Sequence, residues 1–452
     1  MKFNVLTQSM AALLLAFMSS QVFAEDLKAV AKNAIEKNPE VQSQWHNFVE
    51  ATSNQKQAKA GYLPTVDFNV TYGKEDREFD NRDWFNQGQT ELTLTQMLFD
   101  GFRVRSRVKQ GDYAALKSYY ELNDAVERKA LEASQSYVDV LRYRELVRLA
   151  QANFDNHQRV YNQIEQRAQQ GVGNRADLSQ ISGRLSLAQT NLMTEKSNLN
   201  DVTYRFISIV GYTPKDLDPV ILDTYIPSSL DGLIDATYQH NYGLRAALSD
   251  IEYARAGVEE QKANFYPNLA FVARTGYYKN RNSFDEWNDQ REHGRDSIVE
   301  LRLNYNLFNG GADKAAYKSA NSRVYKAEDV KSQMCIDLRK SISTAFNNVS
   351  NLESQMEWLQ RHRDESAAVV KAYNDQFDIG RRSLLDVLDS ENEGFQSNRS
   401  YASAQYDLMN AQLQVLYSTG KLLPVLGIQR DNVPTASEVT NRQLDTAQVC
   451  NN

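Results

Sequence analysis

Long apolar runs, histidine, cysteine and proline are all scarce in this chain, and each scarcity removes a class of function. Beyond its first two dozen residues no stretch approaches the ~20 apolar residues of a membrane-spanning helix. A helical membrane span is therefore excluded. The five histidines, His46, His157, His240, His293 and His362, lie far apart, and no glycine-rich phosphate loop occurs. No enzyme, metal site or cofactor is expected. Basic residues are dispersed and outnumbered, Lys+Arg 51 against Asp+Glu 58, which argues against nucleic acid as a partner. Proline is the most informative. Only eight occur in 452 residues, and after both Gly101 and Gly310 roughly 68 residues pass without one. At 1.5 Å per residue each such stretch makes a helix of about 100 Å, far longer than a globular domain needs.

What is present is a repeat. Gly171 and Gly380 are separated by 209 positions, and so are Asp177 and Asp386, Gly211 and Gly420, and Phe99 and Phe308. Each copy reads as a long helix ending at glycine, a short turn with a polar N-cap (Asn174, Ser383), and a returning helix with an acid at its third position. The expected plan is a signal peptide over residues 1–24; a first repeat over 25–210 with a helix, strands 65–72 and 90–98, a long helix 102–170 and a returning helix 174–210; and an inter-repeat belt at 211–230. A second repeat then covers 231–420 with a helix, strands 268–277 and 297–307, a long helix 311–379 and a returning helix 383–420, before a belt or tail segment at 421–452.

Residues 1–24 carry a lone Lys2, an apolar core from Met10 to Phe17 and Val22-Phe23-Ala24 ahead of Glu25, a secretory pattern. No cysteine follows the expected cleavage site, so no lipid attachment is expected. The next helix, about Leu27 to Ala60, has a potential break at Asn38-Pro39. After Pro64 the period changes to two: Val66, Phe68, Val70 and Tyr72 alternate with polar residues, and Val299, Leu301, Leu303, Tyr305 and Leu307 alternate with Glu300, Arg302, Asn304 and Asn306. Aromatics cluster near the strand ends (Tyr62, Trp84, Phe85, Phe99, Phe265, Tyr266, Tyr278, Phe308), as on a lipid-facing barrel. A soluble sheet with one covered face shows the same alternation, but the polar helices supply no evident layer to cover it. Four strands leave two free edges, which a bilayer does not tolerate, so the transmembrane β-barrel must be shared between subunits. The second hairpin is longer, 40 positions from Pro267 to Leu307 against 34 from Pro64 to Leu98, and Asn282, Asp285, Asn288 and Asp289 are expected in an extracellular loop.

The rising helix of the first copy carries a heptad seam, Leu178, Ile181, Leu185, Ala188, Leu192, Leu199, Val202, Phe206 and Ile209, with Glu195 in its one vacant position. The fold class expected is thus mixed α and β, a shared barrel continuous with a long α-helical coiled-coil tube. Pro214, Pro219 and Pro227 mark the belt between the copies.

The duplicated helix-strand-strand-helix plan, the hairpin openings Tyr62-Leu-Pro64 and Tyr266-Pro267, the Leu-Phe-Asp/Asn-Gly turns and Gly380-x-Arg382-x-x-x-Asp386-Val-Leu-Asp389 together resemble the TolC family of outer-membrane channel proteins. The resemblance implies a homotrimer with a twelve-stranded barrel in outer-membrane lipid and a periplasmic helical tunnel closed at its lower end. It also implies a periplasmic adaptor (membrane fusion) protein and an inner-membrane transporter docking there. Carried onto this chain, Asp386 and Asp389 form rings at the entrance constriction, and Arg382 and Asp177 latch the inner hairpin to its neighbour. The tyrosine the family places three residues before the glycine is Phe377 here, whose ring cannot donate the latch hydrogen bond. Helix capping alone accounts for Asp177 and Asp386, each three residues after a polar N-cap. It does not account for Asp389, whose counterpart in the first copy is Gln180.

The leading functional expectation is the outer-membrane duct of a type I secretion system, fed by an ABC transporter. The alternative is the outer component of a multidrug or metal efflux pump, with an RND-type partner. A third class, a soluble periplasmic adaptor or coiled-coil spacer, leaves the strands unexplained. Last, Cys335 lies 45 residues above Gly380 on one helix and Gly420 lies 40 above it on the other, so both sit at about the same height. The tail after Gly420 can then bring Cys450 to Cys335 as a disulfide; the alternative is a buried Cys335 and a loose Cys450.

Overall fold

A computed structural model of the chain describes residues 25–77, 82–171, 174–220, 222, 229–279, 293–430, 433–444 and 449–450. The expected leader and the loop residues Asn282, Asp285, Asn288 and Asp289 lie outside the described residues.

The first helical segment is two helices, α1 (Leu27–Lys37) and α2 (Pro39–Ala60). Asn38 separates them and caps the second by accepting from Glu40 N, with Pro39 at the position where its missing N–H costs nothing. Strands β1 (Thr65–Arg77) and β2 (Arg82–Phe99) lead to the long helix α3 (Arg103–Gln169) and the returning α4 (Arg175–Val210). The second copy repeats this with α5 (Leu230–His240), α6 (Tyr242–Lys262), β3 (Asn268–Lys279), β4 (His293–Asn304), α7 (Ala312–Asp378) and α8 (Leu384–Ser418). Here too the first helix is divided, at Asn241, which caps α6 by accepting from Leu244 N. No proline marks that division. Two short tail helices, α9 (Leu422–Val425) and α10 (Ala436–Val439), put regular structure where only a belt or tail segment was expected.

The four strands form one antiparallel sheet in the order β1-β2-β3-β4, so β1 and β4 have free edges. The strands differ from expectation at their ends for reasons of pairing. β1 and β2 extend past the apolar alternation because polar residues continue the ladder, Gly73 opposite Gln87 and Glu75 opposite Phe85. β4 stops at Asn304, whose partner Asn268 begins β3, so Tyr305 and Leu307 continue the alternation without a strand to pair with. One face carries Val66, Phe68, Leu92, Leu94, Phe271, Val299 and Leu301. The opposite face carries Glu91, which accepts from Tyr278 Oη at 2.8 Å and pairs with Arg274 at 3.6 Å. Apolar outside and polar inside is the pattern of a lipid-embedded barrel around a wet lumen. No described helix is long and apolar enough to cross a membrane.

Each long helix has 67 residues, about 100 Å at the α-helical rise. In the lower half α4 packs on α3, α3 on α8 and α8 on α7, giving the order α4-α3-α8-α7; in the upper half α2, α3, α6 and α7 follow one another. Short helices therefore stack end to end beside the long ones. Asn33 of α1 donates to the last carbonyl of α4, Val210 O, at 2.8 Å, and Gly420 just beyond α8 lies against His240 O at the end of α5. The belt core surrounds the buried Tyr137, whose hydroxyl donates to Glu25 O and Asp218 O at 2.7 Å each. Leu122, Phe206, Leu413 and Leu422 join that core, each contributing on the order of 1.5–3 kcal/mol by burial.

Candidate functional site

The lower end of the tube is built from two tight turns. Gly171 and Gly380 have φ of 76° and 74°, left-handed backbone that glycine adopts without strain. At the second turn Arg381 N donates to Gln376 O and Gly380 N to Phe377 O, so the last carbonyls of α7 are satisfied. One apolar cluster then joins both hairpins: Val160 and Ile164 of α3, Ile181 of α4, Phe377 of α7, and Leu384, Val387 and Leu388 of α8. Phe377 is 7% exposed inside it, with the Arg167 guanidinium 5.3 Å from its ring. Its contribution is packing, not a hydrogen bond.

The two acids of α8 have different surroundings. Asp386 completes a capping box: Ser383 Oγ donates to its Oδ2 at 2.9 Å and Ser383 N at 3.3 Å, which holds this exposed carboxyl below its usual range. Asp389 is met from the other hairpin, Arg184 Nη2 of α4 standing 3.0 Å from its Oδ1. Arg382 folds back on its own tip, donating from Nε to Gln376 Oε1 at 2.9 Å, with its guanidinium 4.1 Å from the Tyr373 ring and 3.9 Å from Asp386. Asp177 sits in the first turn of α4, capped by Asn174. Among the described residues no bond joins Arg382 to Asp177 within the chain, so the expected latch has no partner inside one copy.

Above Asp389, α8 is tied to the first hairpin by further polar links. Asn156 Nδ2 of α3 and Asn374 Nδ2 of α7 both donate to the buried Glu391, at 3.2 and 2.9 Å. Arg399 pairs with the buried Glu195 at 2.7 Å, Arg142 with Asp407 at 2.7 Å, and Asn410 donates to Asp139 at 3.4 Å. Between hairpins the apolar cluster at the tip is continued upward by a ladder of polar contacts. Arg184, Asn156, Glu391 and Arg399 were not singled out from the sequence. For the lowest rung a signal existed: at the 209-residue offset Arg184 corresponds to Glu393, a reversal of charge, and the neutral Gln180 to Asp389.

The family model described as outer membrane efflux protein matches residues 30–210 and 233–421, the two repeats in turn. The chain belongs to the outer membrane efflux protein family. It is 22% identical over 378 residues to the outer membrane efflux protein BepC of Brucella suis, covering 82% of this chain and 80% of that one. It is 24% identical over 384 residues to the proteases secretion protein PrtF of Dickeya chrysanthemi (80% and 81% covered), and 21% over 418 residues to outer membrane protein TolC of Escherichia coli (89% and 84%). Among solved structures the fold is similar to the Campylobacter jejuni CmeC outer membrane channel, with TM-score 0.78 at 14% identity over 88% of this chain and 86% of that one. The open state of the Neisseria gonorrhoeae MtrE channel gives 0.73 at 16%, covering 88% and 89%. As an outer membrane efflux protein family member the chain is an outer-membrane channel, not an enzyme. Its helices form a large periplasmic portion, and its four strands contribute to a barrel closed between subunits.

Proposed function

We propose that three copies close a twelve-stranded barrel and a continuous helical tunnel that serves as the outer-membrane duct of a type I secretion system. Polypeptide enters from an inner-membrane ABC transporter through a periplasmic adaptor. The observation that carries the duct is the four-stranded sheet with an apolar face, a charged face and two free edges, mounted on helices of about 100 Å. Closure into a ring has further support. α4 and α7 are the outer members of the lower layer, and both present exposed apolar side chains: Leu187, Met193 and Tyr204 on one, Trp358 and Val369 on the other. Unlike surfaces on opposite edges associate head to tail, the geometry that closes rings.

Two relatives named for protease secretion, PrtF and AprF of Pseudomonas aeruginosa, support the secretion reading at 24% and 23% identity. A second reading, the outer component of a multidrug or metal efflux pump working with an RND-type pump, is supported by the relative named efflux protein BepC. Deleting the chain's gene separates them. Loss of a large secreted polypeptide with unchanged sensitivity to drugs and metals supports secretion; intact secretion with raised sensitivity overturns it.

At the entrance, Asp386 and Asp389 from each copy line the constriction, and Arg382 reaches Asp177 of a neighbouring copy when the tube is shut. Phe377 adds packing to that closed state. In a reconstituted channel, Asp389→Asn is expected to lower cation preference and Arg382→Ser to raise resting conductance. Unchanged values in both would remove these residues from the entrance.

A further inference from the structure

Asp386 and Asp389 share one face of α8, yet only Asp389 has a cation from the other hairpin at bonding distance. Its partner Arg184 is half-buried, with a side chain 31% exposed against 59% for Asp389. Asp386 is held by the uncharged Ser383, and the nearest guanidinium, Arg382, stands 3.9 Å away on the same turn. Among the described residues Arg184–Asp389 is the lowest ion pair between hairpins. The next rung, Asn156 to Glu391, has an amide donor.

We propose that Arg184 is the counter-ion of Asp389 and a specificity-determining residue of the entrance. The inference rests on the reading of Asp389 as an entrance residue. While the hairpins lie together, the Arg184 guanidinium offsets the Asp389 charge, and Asp386 has only the more distant Arg382 of its own turn. Parting the hairpins separates the pair, and Asp389 then faces the bore uncompensated. Opening thus raises cation preference along with width, since rings of carboxylates select for cations. The rung that parts first also sets how readily the entrance opens, because Arg184 and Asp389 sit at the loose end of the ladder, nearest the tip glycines.

The test uses the full-length protein in planar bilayers and compares wild type, Arg184→Gln, Asp389→Asn, the double variant and Arg184→Lys. Two quantities are read: the K+ over Cl− permeability ratio and the resting conductance. Arg184→Gln is expected to raise the permeability ratio about threefold, the scale of a partly exposed pair. Asp389→Asn lowers it by a similar factor, the double variant returns near wild type, and Arg184→Lys, which keeps the charge, stays there. Resting conductance rises in both single variants and no further in the double. An Arg184→Gln ratio equal to wild type, with Asp389→Asn lowered, overturns the counter-ion. Additive conductance increases in the double variant overturn the pairing. A ratio unmoved by Asp389→Asn overturns the entrance reading itself, whatever Arg184 does.

Discussion

Arg399 on α8 meets Glu195 in the heptad seam of α4 at 2.7 Å, and the Glu195 side chain is only 5% exposed. The ladder between the hairpins is therefore graded in strength. An exposed pair such as Arg184–Asp389 is worth about 1 kcal/mol or less. Stripping a buried carboxylate of its partner costs about 3–5 kcal/mol. Among the polar contacts, separation costs least at Arg184–Asp389 and most at Arg399–Glu195, and the apolar cluster of Ile181, Val387 and Leu388 adds its own burial at the tip.

Arg399→Ala is accordingly expected to destabilise the protein by about 1.5–3 kcal/mol, since Asn198 Nδ2 still donates to Glu195 at 3.2 Å, and to raise resting conductance. Glu195→Leu restores an apolar residue to the vacant heptad position and removes the charge, so in the Arg399→Ala background it should recover most of that stability. Urea unfolding of the three variants checks both statements. A double variant no more stable than Arg399→Ala would show that Glu195 is not the source of the loss.

In the belt, Glu127 on α3 is 2% exposed, and one of its carboxyl oxygens, Oε2, has no hydrogen-bond partner. Burial pushes its pKa up from 4.5 to about 7, with Asp124 of the same helix adding to the rise and Arg430 of the tail opposing it. Tyr242 of α6 and Tyr417 of α8 face it as well. The sign follows from which state holds the proton. Between the unfolded value and about 7 the folded chain binds the proton and the unfolded chain does not, so stability is full at the acidic end and declines as pH rises through about 7. The loss is on the order of 3 kcal/mol. Glu127→Gln keeps the shape without the ionisation. Its stability should change less than wild type between about pH 5.5 and pH 8.5, and parallel curves would place the titration elsewhere.

What the sequence made legible was local or periodic. The tip glycines, the caps at Asn174 and Ser383 and the alternation of Val299 to Leu303 depend on neighbours within a turn or two of chain, and the 209-residue offset on period alone. The Asn241 division escaped because a polar N-cap without proline leaves no break in the pattern. The end of β4 escaped because strand length is set by the partner, Asn268 opposite Asn304, and not by the strand's own alternation. The rungs between hairpins join residues 205, 235 and 204 positions apart, and which helical faces meet there is decided by packing. Composition and period carry no information about that choice. A residue such as Arg184 then looks like any solvated arginine until its partner is placed.

Gly394 on α8 sits against the Val370 side chain of α7, whose Cγ2 would lie 2.8 Å from an added Cβ. Two effects oppose each other on replacing it. Alanine gains about 1 kcal/mol of helix propensity over glycine, whereas forcing a methyl into the contact costs about 1–3 kcal/mol. In wild type the clash should win and Gly394→Ala should destabilise. With Val370→Ala already made, the same change should stabilise. Thermal unfolding of the four proteins reads the sign in each background; the same sign in both would mean the helices have room to adjust.

Cys335 on α7 and Cys450 in the tail are joined as a disulfide, with Cα atoms 5.7 Å apart. The tail that ends there is bound along its way. Gln55 of α2 donates to Val439 O at 3.3 Å, Arg442 pairs with the largely buried Asp112 of α3 at 2.7 Å, and Lys331 of α7 donates to Val449 O at 3.0 Å. The strap thus spans α2, α3 and α7, and the bond closes a loop with a sequence separation of 115. A loop of that length corresponds to about 4–5 kcal/mol in the chain-entropy account. Its height matters as much as its strength. Cys335 lies 45 residues above Gly380, about 68 Å up the helix, well away from the tips. Cys450→Ser should therefore lower the unfolding midpoint under oxidising conditions, match wild type once both are reduced, and leave resting conductance unchanged. Mass spectrometry of non-reduced peptides should find the two segments linked. Two free thiols in protein purified from the cell envelope, or an unfolding midpoint indifferent to reductant, would dismiss the strap as a covalent clamp.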